Sequence, residues 1–99
     1  MIRGTTPTLE FVIPLDTGQL AEAFVTVSQN DELVFEKPLM QCQCDGNKLS
    51  VQLTQEESLK LTSGICVVFA LVAKTLNGER VESNKFIERV YETTKDGVI

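Results

Sequence analysis

Histidine and tryptophan are absent from these 99 residues, tyrosine occurs once and cysteine only three times. Without histidine there is no Ser-His-Asp or Cys-His activation of a nucleophile, and no side chain that ordinarily moves protons near neutral pH. Acid–base chemistry would have to come from a carboxylate pair, Glu56 with Glu57 or Asp45 near Glu32. A helix cap and a turn account for those residues more simply. The residues point to no catalytic group and to no enzyme. Three cysteines with no histidine fall short of the four ligands of a structural zinc site, and an odd number fits reduced thiols better than a disulfide framework. Cys42, Cys44 and Cys66 therefore read as small core residues. The glycines are isolated and sit at turn-type positions, so no phosphate-cradling loop is present, and no metal or other cofactor is expected.

Basic residues are few: 9 Lys and Arg against 14 Asp and Glu give a formal charge of −5. They are spread along the chain, whereas phosphate binding needs them clustered on one face, so nucleic acid is not an expected partner. A bilayer span is missing too. The longest wholly apolar run, Ile65 to Ala73, is far shorter than the about 20 residues a spanning helix requires, so no membrane is expected. Met1 to Pro7 holds one basic residue with no apolar core behind it, unlike a secretory signal. The expectation is a protein that is cytoplasmic when made, or that leaves the cell inside a larger particle such as a virion.

What the sequence does have is that apolar run, Ile-Cys-Val-Val-Phe-Ala-Leu-Val-Ala, between Gly64 and Lys74. Its β-branched residues and short length favour a buried strand over a core helix. Around it the chain alternates. Thr8 to Ile13 puts Leu9, Phe11 and Ile13 on one face, with Pro14 ending the strand. Leu20 to Gln29 turns Ala23, Val25 and Val27 inward and leaves Phe24 outside. The polar stretch Gln29 to Glu32 predicts a tight turn, with Leu33 to Lys37 returning antiparallel until Pro38. Leu39 to Asp45 alternates with Met40, Cys42 and Cys44 on one side. Asp45-Gly46-Asn47 then predicts a turn into Lys48 to Leu53, with Leu49, Val51 and Leu53 inward.

Thr54-Gln55-Glu56-Glu57 matches a capping box and predicts a short helix that carries Leu59 and Leu61 to the core and stops by Gly64. Asn77-Gly78 predicts a hairpin after the central strand, so that Arg80 to Tyr91 pairs back along it, with a bulge or bend at Glu82-Ser83-Asn84-Lys85. Charged clusters such as Glu79 to Glu82 and Glu88-Arg89 read as a solvated strand face. The fold class is all-β: an immunoglobulin-like antiparallel sandwich of about seven strands with one short helix before the central strand. The length suits one domain, residues 1–99, with 1–7 and 92–99 least tied down.

The central strand carries the functional clue. If Ile65, Val67, Phe69, Leu71 and Ala73 face the core, then Cys66, Val68, Ala70 and Val72 face away from it with no polar residue among them. A sheet face exposed to water normally shows polar alternation. Two accounts stand. The helix, the tail or long neighbouring side chains cover that face; or Phe24, Cys66, Val68, Ala70 and Val72 form an interface with another copy, as in a homo-oligomer, or with a different partner.

The opening Met1-Ile2-Arg3-Gly4-Thr5-Thr6-Pro7-Thr8 and the stretch Leu53-Thr54-Gln55-Glu56-Glu57-Ser58-Leu59 resemble those of a family of short proteins encoded among the tail genes of prophages in Gram-positive bacteria. Asp45-Gly46-Asn47, Asn77-Gly78 and the close in Val98-Ile99 are similar too, although Tyr91 to Lys95 is more polar than that family's ending. The resemblance implies a non-enzymatic structural or assembly protein of a phage tail or baseplate, similar in fold to the immunoglobulin-like N-terminal domain of baseplate upper proteins. Its implied partners are itself or other tail proteins. The alternative is an adhesion module that recognises carbohydrate or a host surface through its loops. With no tryptophan and one tyrosine, the chain offers little for stacking on sugars.

Overall fold

The computed structural model describes residues 1–83 and 85–99. Turn chemistry sets its hairpins. Asn30 and Asp31 both adopt positive φ, 52° and 61°, which matches the right-handed twist of the strands they join. They link β2 (Leu20–Gln29) to β3 (Glu32–Pro38) with Gln29 opposite Glu32. A second two-residue turn, Gly46-Asn47 with Gly46 at φ 59°, joins β4 (Gln43–Asp45) to β5 (Lys48–Gln52). After β6 (Cys66–Thr75) the chain turns through Gly78, at φ 87°, into β7 (Arg80–Glu82).

Strand β1 (Thr8–Val12) pairs antiparallel with β5, giving a three-stranded sheet in the order β1-β5-β4. The second sheet runs β3-β2-β6-β7, with β8 (Phe86–Arg89) also paired to β6. Aligning β1 with the second strand of an immunoglobulin domain reproduces that fold's strand order in both sheets, without its first strand. The all-β sandwich expected from the sequence is the architecture found. Among the described residues there are eight strand segments where about seven are expected, because the last strand is interrupted. Ser83 bonds to Leu71 and Phe86 pairs with Phe69, so three steps on one strand match two on the other. Of the expected bulge at Glu82 to Lys85, Asn84 lies outside the described residues.

The core lies between the sheets. Phe11, Leu49 and Val51 come from one, and Ala23, Val25, Val27, Val67, Phe69, Leu71 and Ala73 from the other. On one flank the rings of Phe11 and Phe86 meet at 5.2 Å between centroids. The helix α1 (Gln55–Leu59) opens on the expected capping box: Thr54 Oγ1 accepts from the Glu57 amide at 3.1 Å, and Glu57 Oε1 accepts from the Thr54 amide at 2.9 Å. Leu61 is buried beyond it and Leu59 half-buried. The central strand is shifted from its expected span. It starts at Cys66, after Gly64 has turned at φ 85°, and continues through Lys74 because the hairpin keeps pairing, Lys74 with Arg80.

Two expectations fail at the β3–β4 junction. Leu39–Gln41 is a 3-10 turn rather than the start of a strand, and Met40 is 87% exposed. Pro38 has no amide to extend the ladder, and the Cys42 amide closes back on the Leu39 carbonyl at 2.9 Å,. The cysteines are not core residues either: Cys42 is half-buried, and Cys44 and Cys66 are exposed. Cys44 sits on a three-residue edge strand with no neighbour beyond it. Burial, with Cys44 nearby, pushes the Cys42 thiol up against the opposing pull of Lys37, which favours the protonated form.

The ends are tied to α1. Arg3 Nε donates to the Leu59 and Leu61 carbonyls at 3.1 and 3.0 Å, while its Nη1 reaches Glu92 and Asp96. The Gly4 amide donates to the buried Ser58 hydroxyl at 2.8 Å, and Gln55 exchanges two hydrogen bonds with the Ile99 main chain.

Candidate functional site

The register of the five-stranded sheet decides which side chains share its outer face. Opposite one another across β2 and β6 stand Phe24 and Val72, Thr26 and Ala70, and Ser28 and Val68. The buried Ala23, Val25 and Val27 alternate with the first member of each pair, and Val67, Phe69, Leu71 and Ala73 with the second, so all six point away from the core. Cys66 continues the row on β6, opposite Arg89 of β8. The structure thus brings together all five residues singled out from the sequence: Phe24, Cys66, Val68, Ala70 and Val72.

The described residues leave this face open. Val68, Ala70 and Val72 are only half-buried in the middle of a sheet, Cys66 is exposed, and Phe24 is 37% exposed. The helix and the tail were candidates to cover it. Their hydrogen bonds instead run to Arg3, Gly4, Thr54 and Lys37, away from the outer face.

Two large side chains extend the face beyond the sequence reading. Leu33, 57% exposed, stands opposite Ser28, and Ile87, 66% exposed, opposite Val68. The two-residue loop at Asn30-Asp31 was the available signal for Leu33, because it puts Leu33 across from Ser28 and so on the same face. Further along, Val34 is an extra residue between the pairs Ser28–Leu33 and Val27–Phe35, a bulge on an edge strand,. Ile87 had no such signal, since the register break before β8 hides which of its residues face outward.

Charge is confined to the borders. At one end Lys74 pairs in register with Glu22 on one side and Arg80 on the other, and Arg80 lies 3.8 Å from Glu82. Glu22, Lys74 and Arg80, with Phe24 and Val72, rim a depression of about 290 Å³. Glu36 marks the β3 edge, opposite Thr26, and Arg89 the far end. The centre is thus uncharged, and apolar but for the hydroxyls of Thr26 and Ser28, inside a charged rim. Among the described residues no group of three or more Cys, Asp or Glu is placed to hold a metal ion, and no helix is long and apolar enough to cross a membrane.

In comparisons with known proteins, no protein-family model, no curated protein and no solved structure matches this chain.

Proposed function

We propose that this chain is a non-enzymatic assembly module that docks through the outer face of its five-stranded sheet, as a structural or assembly protein of a phage tail or baseplate. The supporting observation is the open apolar face built by Phe24, Val68, Ala70, Val72, Leu33 and Ile87. A patch of this kind on a small domain marks a contact site, because leaving it in water forfeits the stabilisation that burying it would bring. The tail and baseplate setting comes from the resemblance of the Arg3-Gly4-Thr5-Thr6-Pro7 opening and of the Leu53 to Leu59 stretch.

The adhesion reading draws less support. The exposed aromatic rings, Phe24, Phe86 and Tyr91, lie in strands or a strand bridge rather than at loop tips. The test is recovery of the tagged chain from particles induced from a lysogen that carries its gene. Wild-type chain should co-purify with particles or with tail intermediates, and Ala70→Glu should not. Absence of the wild type from both fractions overturns the tail assignment, and equal incorporation of the variant overturns docking through this face.

A further inference from the structure

We infer that the occupant of the outer face is a second copy of this chain, packed sheet to sheet about a two-fold axis that runs along the strands between β2 and β6. The inference rests on the reading of this face as a docking surface and adds the identity and geometry of the partner.

Area is the first argument. Strands β2 and β6 have ten residues each, so the face is about 34 Å long, and its four strand positions, β7 and β8 sharing one beside β6, at about 4.8 Å spacing make it about 19 Å wide. Each copy would bury about 650 Å², or about 1,300 Å² for the pair, within the range of specific, stable interfaces.

Charge and shape choose the axis. A two-fold along the strands exchanges the β2 and β6 rows. Glu22, which stands opposite Lys74 in register, then lies against Lys74 of the second copy, and Lys74 against its Glu22. The same operation sets Phe24 on Val72, Thr26 on Ala70 and Leu33 on Ile87, so a large ring meets a smaller β-branched side chain and the two exposed aliphatic residues cover each other. The competing two-fold, across the strands through Ala70, puts Glu36 on Glu36 and Arg80 near Arg89, like charge on like. Aligned sheets pack with a rotation of about 30°, which arises from the twist of each sheet.

Sedimentation velocity on the full chain should show a dimer, and Ala70→Glu and Val68→Lys should each weaken self-association at least about 100-fold while leaving the circular dichroism spectrum near wild type and the melting temperature lower only by what the lost association contributes. Two variants guard against one that misfolds. For the axis, the three native cysteines are replaced by serine, and Leu33→Cys with Ile87→Cys in one chain should give a covalent dimer with diamide, whereas Glu36→Cys alone should not. A chain that stays monomeric at about 100 µM, or a dimer indifferent to both charge substitutions, overturns the second copy as occupant. Cross-linking through Glu36→Cys but not through the Leu33/Ile87 pair overturns the axis. A monomer whose incorporation into particles is still lost with Ala70→Glu sinks this inference and leaves docking to a different protein standing; unchanged incorporation sinks the docking reading itself.

Discussion

Replacing Lys37 by methionine should lower the melting temperature by at least about 8–12 °C. Lys37 lies on β3, an edge strand, yet it pairs with Val25 and points inward. Its Nζ donates to the Gln52 carbonyl of β5 and to Glu57 Oε1 of α1, both at 2.8 Å. One ammonium therefore joins the two sheets and the helix. Methionine keeps the apolar stem but leaves the Gln52 carbonyl without its donor and the Glu57 carboxylate without its cation. Breaking a fully buried pair costs about 3–5 kcal/mol and breaking an exposed one about 0–1. With side chains 7% and 21% exposed, this pair falls between, at about 2–3 kcal/mol. In a domain this small each kcal/mol moves the midpoint by at least about 4 °C. The double variant Lys37→Met with Glu57→Gln should cost less than the sum of the two single changes, because each single change strands the other group. Thermal melts followed by circular dichroism at pH 7 measure all three. A fall under about 3 °C for Lys37→Met, or strict additivity, would refute the claim that this bridge couples the layers.

The same bridge predicts a pH dependence. Burial pushes the Glu57 carboxyl up, but the hydrogen bonds from Lys37 and Thr54 and the Lys37 charge together hold it below the ordinary glutamate range. A carboxyl held low in the folded state contributes stability above its unfolded pKa and loses it as pH falls through the folded one. Urea melts should therefore weaken from about pH 4.3 downward, with a shallower slope in Glu57→Gln. Gln29 is buried, and its amide exchanges hydrogen bonds of 2.9 and 2.8 Å with the Thr62 main chain. Gln29→Leu should cost about 1–2 kcal/mol in urea melts, the exposed Thr62 groups recovering part through water. Gly4 and Gly64 have nearly the same φ, 86° and 85°, but a Cβ on Gly4 would lie 3.1 Å from Leu59 Cδ2 whereas one on Gly64 meets open space. Gly64→Ala should cost about 1–2 kcal/mol from backbone strain alone, and Gly4→Ala measurably more in the same assay.

Local signals were legible wherever the chain's chemistry acts locally. Leu49, Val51 and Leu53 alternate and are fully buried, the Thr54–Glu57 box caps a real helix, and Asn30-Asp31 and Asn77-Gly78 make the turns their residues favour. Illegible features were those set by partners distant in sequence. Lys37 stands in the sequence as the last residue before Pro38, with nothing local to point to Gln52 and Glu57, and Arg3 as the one basic residue of the chain's opening, with nothing local to point to Leu59, Leu61 and Asp96. Leu39 to Asp45 shows the opposite failure. Its alternation is that of a strand, but Pro38 starts a tight turn over Leu39–Gln41, and of the two cysteines placed by that pattern Cys42 only flanks the core while Cys44 ends on an exposed edge strand.

The outer face joins both kinds of reasoning. That Val68, Ala70 and Val72 share a side follows from period-two alternation alone, so those residues could be named before any fold existed. Whether the side is covered depends on where the helix and the tail go, which local pattern does not reveal. The answer lies with Arg3, Ser58 and Gln55, which hold the tail and the chain's opening against α1. That hydrogen-bonding cluster lies apart from the outer face. Loosening it should leave self-association through β2 and β6 intact while lowering stability. That separation follows because Arg3 and Ser58 hydrogen-bond to α1 and to the two ends of the chain, and to none of the residues that form the outer face.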